Sequence, residues 1–92
     1  MCTSIVEVVE AHGEGKGEGG WFELTHAVVS YDHPHHALFE EAIVIDFVNE
    51  KLGPQARGAV EISLDSAKAL SAALTRAIEA AEEVEGIRLR GT

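Results

Sequence analysis

"ALFEEAIVIDFV", residues 37–48, decides the fold. It reads as a strand, and from Ala42 to Val48 it is apolar on both alternating faces, with Asp46 the sole exception. A strand built this way expects cover on both sides. Upstream, "WFELTHAVVSYD" (residues 21–32) is aromatic and β-branched without a breaker and predicts a preceding strand. Between the two, "HPHH" turns the chain, because proline fixes its own φ and disfavours helix at His33.

Working outward, "TSIVEVVEA" (residues 3–11) mixes β-branched residues with glutamates at strand-like spacing and predicts a first strand with one wet face. "HGEGKGEGG" (residues 12–20) holds five glycines in nine positions. Glycine loses the most backbone entropy on ordering, so this segment is expected to be a flexible loop, usable as a hinge or lid. After the loop "NEKLGPQA", the stretch "RGAVEISL" gives a fourth strand with Val60, Ile62 and Leu64 alternating. Asp65 is placed to cap a helix whose stripe is Leu70, Leu74, Ala77, Ile78 and Ala81, with Gly86 as its stop. The expected fold is α+β: a four-stranded antiparallel sheet followed by one helix packed on one face, ββββα. Residues 1–92 form a single domain, with 87–92 as a C-terminal tail.

One helix covers one face of such a sheet, so the other face requires a partner. A second copy of the chain is the simplest one, predicting a homodimer or higher symmetric oligomer. The alternative is that the glycine loop and the tail fold over that face.

The 92 residues carry 16 acids against 7 bases, a net charge of −9, which repels phosphate backbones and anionic lipid. The bases form no stripe, and no apolar run reaches membrane-spanning length; nucleic-acid and membrane partners are therefore not expected. The single cysteine, Cys2, rules out an internal disulfide and fits a cytoplasmic chain.

The chemistry-bearing cluster is "YDHPHHALFEE", residues 31–41. Imidazoles are neutral near pH 7 and suit transition metals, although the spacing matches no standard zinc signature. A polar hairpin tip with its histidines in water is the competing reading. If the initiator methionine is removed, Cys2 offers a thiol and an α-amine that can chelate together; buried, it would be an inert apolar residue. The loop "GEGKGEGG" is no phosphate loop, because Gly-x-x-x-x-Gly-Lys-Ser/Thr is absent and a strand follows. Trp21 and Phe22 beside it serve as core or as the wall of a small-molecule pocket. Asp46, if buried, needs a partner, and Arg57 is the candidate.

Three segments, "KGEGGWFELT", "YDHPHHA" and "IDFVNEKLGPQARGAVEI", resemble a small family of bacterial proteins without assigned activity. Those proteins begin Met-Cys-Thr and carry Gly-Gly-Trp-Phe, Asp-His-Pro-x-His-Ala, Ile-Asp-Phe and Gly-Pro-x-Ala-Arg segments in this order. The resemblance runs from Cys2 to about Ile78. It implies a shortlist of Cys2, Trp21, Phe22, Asp32, His33, Pro34, His36, Asp46 and Arg57, and leaves out His12, His26 and His35.

The expected site is a transition metal held by Cys2, His33 and His36, with Asp32 or Glu41 orienting the histidines. Iron, zinc, copper and nickel all tolerate that set. A metal-free interaction or accessory module using the uncovered sheet face, and a small-ligand pocket under the glycine lid, are the alternatives. The reaction, if there is one, stays open.

Overall fold

Alternating side chains with frequent β-branching give the chain its strands, and a computed structural model describes the backbone of residues 5–90 and the side chains of 5–86. The elements are β1 (Ile5–Glu10), β2 (Glu14–Gly17), β3 (Gly20–Glu23), β4 (His26–Asp32), β5 (Ala42–Val48), β6 (Arg57–Ile62) and α1 (Leu64–Arg90). Four strands form one antiparallel sheet in the order β1-β4-β5-β6, and β2 and β3 form a separate hairpin. The α+β class and the four-stranded antiparallel sheet are as expected; the extra hairpin is not.

The glycine-rich segment is where expectation and structure part. Residues 14–17 are a strand, paired to β3 from Glu14 opposite Glu23 to Gly17 opposite Gly20. The glycines act by letting backbones touch. A Cβ on Gly17 would stand 3.2 Å from the Arg57 carbonyl oxygen, and one on Gly58 would stand 3.2 Å from that of Lys16. Anchoring by close backbone approach needs no side chain, so side-chain patterning does not reveal it. Gly20, at φ 115°, closes the turn in a conformation that L side chains avoid.

The expected strand over 21–32 is likewise two strands. Leu24 N–H donates to the Gly13 carbonyl (2.9 Å), whereas Thr25 N–H donates to that of Val48 (2.9 Å). The chain therefore passes from the hairpin to the main sheet between these two residues. The third strand begins at Ala42 rather than Ala37, because residues 33–41 are held as an irregular turn described below.

Register assigns the two sheet faces. One carries Ile5, Tyr31, Ile43 and Ile62, then Glu7, Val29, Ile45 and Val60, then Val9, Ala27, Phe47 and Gly58. Its one carboxylate is Glu7. The opposite face mixes Val8, Val28 and Val44 with Ser30, His26, Asp46, Arg57 and Glu61.

The helix corrects the sequence reading three times. Its cap is Ser63, not Asp65: Ser63 Oγ accepts the Ser66 N–H (3.1 Å), and its carbonyl accepts that of Ala67 (2.9 Å). Asp65 instead sits in the first turn, where a carboxylate suits the positive end of the dipole. Gly86 does not stop the helix, which continues to Arg90 through most of the expected tail. Nor does α1 lie on the sheet. It meets β5 at a few residues, and every described helix side chain except Ala67 and Gly86 is exposed. A one-residue joint between β6 and α1 leaves no length for the helix to double back.

The result is a chain with little interior. The buried residues among those described are Ala27, Ala42, Ala56 and Asn49. Asn49 knits the hairpin to the sheet: its side-chain amide donates to the Glu23 carbonyl (2.8 Å), and its side-chain oxygen accepts the Lys51 N–H (2.9 Å). Among the described residues no helix is long and apolar enough to cross a membrane.

Candidate functional site

The histidine turn is positioned by one carboxylate. Glu61, near the end of β6, accepts the backbone N–H groups of His35 (2.7 Å), His36 (2.8 Å) and Ala37 (2.8 Å). Three donors converge on one carboxylate because proline at 34 bends the chain back over that face. The N–H of His35 foremost, with those of Ala37 and His36, outweighs partial burial and pulls the Glu61 carboxyl down from 4.5 to about 2. The His36 ring, 3.9 Å from Glu61, adds a smaller pull. Asp32 starts the turn by accepting the His33 N–H on Oδ1 (2.7 Å).

The site candidates at the turn have different partners. His33 turns its Nδ1 to Glu41 Oε1 (3.1 Å) and to the Glu40 carbonyl (3.1 Å). Both are acceptors, so Nδ1 is the ring nitrogen that donates. Of the two carboxylates expected to orient a histidine, Glu41 contacts the His33 ring and Asp32 engages backbone. The His36 side chain is 92% exposed. Among the described residues no group of three His, Cys, Asp or Glu side chains is placed to hold a metal ion. Cys2 lies outside the described residues. The strand that follows it does point at the turn, since Ile5 pairs with Tyr31, one residue before Asp32.

Asp46 and Arg57 form the pair anticipated for them. One carboxylate oxygen, Oδ1, takes both Nε (2.7 Å) and Nη2 (2.6 Å) of the guanidinium. Arg57 remains half exposed beside an open cleft of about 820 Å³ lined by Val44, Ala59, Glu61 and the backbone side of the histidine turn. Trp21 and Phe22 border a smaller cleft of about 180 Å³ with Leu52 and Ala56. That volume is below the usual range for a ligand pocket.

His26, set aside with the surface histidines, is half buried with Nδ1 3.0 Å from Thr25 Oγ1. Glu61 and Asn49 organise the site region without having been singled out. Glu61 offers a faint signal, as the one acid in an apolar strand at the position facing the turn. Asn49 offers none, because loop asparagines are common and its partner, Glu23, is 26 residues away.

These features, from the Met-Cys-Thr start through the histidine turn and all but the last four residues of α1, fall within one matched region, residues 1–86. The chain belongs to DUF6295, a family of unknown function. Membership brings no activity with it. No curated protein and no solved structure matches the chain.

Proposed function

We propose that this member of DUF6295 is a self-associating protein that works as a homo-oligomer, its uncovered apolar surface being the means of assembly. One observation carries the reading: the described interior consists of three alanines and an asparagine, while Ile5, Val9, Phe47, Val60, Leu70, Leu74 and Ile78 stand in solvent. The accessible surface is 7245 Å². A compact chain of 9.8 kDa exposes about 5,200 Å². The excess, roughly 2,000 Å² per chain, lies in the range that obligate subunits bury against each other. The radius of gyration tells the same story, at 16.0 Å against about 12 Å for a compact chain of this length. Light scattering on the purified full chain is expected to give a dimer or larger species at micromolar concentration. A clean 9.8 kDa particle would overturn the proposal.

A second reading, a transition metal at the histidine turn, has its own support. The Nδ1 of His33 is held by Glu41, the arrangement by which carboxylates orient metal-ligating imidazoles. The direction of β1 brings the N-terminal side of the chain to that turn, and only Thr3 and Ser4 separate Cys2 from Ile5, a covalent reach of about 10 Å. Under this reading Cys2, His33 and His36 are the ligands, and the open face of the turn leaves room for a further one. Elemental analysis of protein purified without a tag is expected to find up to one iron, zinc, copper or nickel per chain. Cys2→Ser, His33→Ala and His36→Ala should each lose most of it and His35→Ala should keep it. Glu41→Gln should weaken binding about 10–100-fold. Metal well below stoichiometry in the unaltered protein would end this reading.

A further inference from the structure

Resting on the self-association proposed above, we infer that the partner is a second copy of this chain and that the two copies exchange helices. The apolar stripe of each α1 lies across the Ile45 face of the other's sheet.

Four observations converge on that arrangement. The first is the joint. Ser63 alone links β6 to α1, and its side chain and carbonyl are both engaged in capping the extended helix. A helix so capped is a formed state pointing away from its own sheet, and a short hinge of this kind favours exchange over closure.

The second is matched length. The stripe runs from Ala67 through Leu70, Leu74 and Ile78 to Ala81, about 21 Å at the helical rise. β5, with seven residues, spans about 20 Å. Beyond Ala81 the centre of the stripe meets Glu85, with Val84 at its edge. On the far side of the helix stand Asp65, Arg76 and Glu83, which keep to water.

The third is face selection. The histidine turn, Glu61 and the Asp46–Arg57 pair already occupy one sheet face. The other, beyond the corner where the hairpin meets Gly58, holds Ile45 and Val29 at its centre, with Val60 46% and Phe47 40% exposed, and a single carboxylate, Glu7. The fourth is quantity. Covering one helix stripe and one sheet face per chain, twice over by symmetry, removes surface on the scale of the excess given above.

The competing arrangements are helix against helix, leaving both sheets bare, and sheet against sheet. Cross-linking separates them. Ile45→Cys and Leu74→Cys are made in separate chains, each in the Cys2→Ser background, then mixed through unfolding and refolding and treated with a short bismaleimide. Exchange predicts that the mixture cross-links into dimers and that neither variant does so alone. Efficient cross-linking of the Leu74→Cys chain alone would overturn exchange in favour of paired helices, and of the Ile45→Cys chain alone in favour of apposed sheets.

Because either cysteine could disturb folding, the unaltered protein supplies a second measurement. A sample mixing isotope-labelled and unlabelled chains should show intermolecular nuclear Overhauser contacts from the methyls of Leu74 and Ile78 to those of Ile45 and Val60. A dimer lacking those contacts refutes exchange while self-association stands; a monomer by light scattering refutes both.

Discussion

Asn49→Leu is expected to lower the melting temperature by roughly 8–16 °C at fixed protein concentration. The residue is 6% exposed, and its side chain holds the Glu23 carbonyl and the Lys51 N–H across the junction between hairpin and sheet. Leucine keeps the branched outline of the side chain, with bulkier methyls, but leaves the Glu23 carbonyl without a donor. Leaving a buried polar group unpaired costs about 2 kcal/mol, and for a domain of this size each kcal/mol moves the midpoint by about 4–8 °C. In so thin an interior there is little other burial to absorb the loss. Thermal circular dichroism decides it, with Glu50→Gln next door as the exposed comparison. A shift of the Asn49 variant no larger than that of the comparison would show that the hairpin is held by something else.

Glu61→Ala is expected to release the histidine turn while leaving the sheet intact. The substitution removes the acceptor of three backbone N–H groups at once, and alanine supplies nothing in its place. Amide exchange at His35, His36 and Ala37 should accelerate sharply, with exchange in β4 and β5 unchanged. The pH dependence carries a second signature. Glu61 titrates at about 2 in the folded chain against 4.5 ordinarily, so the unfolded chain takes up the proton first as pH falls. Its contribution to stability is therefore complete above pH 4.5 and drains away between 4.5 and 2. The alanine variant should lack that step in an acid titration of stability. Slow exchange at all three amides in the variant would mean the turn is self-supporting.

The parts of the fold legible in the sequence are those written in side-chain periodicity. The two-faced apolar run at 42–48 and the alternation at 5–10 and 57–62 appear as strands of the expected sheet. Asp46 finds Arg57 because a lone acid in an apolar strand has few ways to be satisfied. What stayed hidden depends on backbone. Strand β2 exists because glycines let main chains approach, and a run of absent side chains carries no periodic signal. The helix cap moved from Asp65 to Ser63 because both residue types cap well and spacing alone does not choose. The helix left its own sheet because a single joining residue overrides the match between an apolar stripe and an apolar face. At the histidine turn, composition marked the segment, yet the carboxylate that shapes it comes from a strand some 25 residues on.

Strand β1 sits at the rim of the sheet, and among the described residues nothing pairs with its outer side. Its β-branched residues suit pairing with a further strand. Glu7 and Glu10 act there as gatekeepers, and the chain's charge of −9 adds colloidal repulsion between molecules. Both defences are electrostatic, so both weaken together as added salt screens them. The rim strand thus carries a charge on each of its two faces, Glu7 on one and Glu10 on the other, and presents no wholly apolar side to a neighbour.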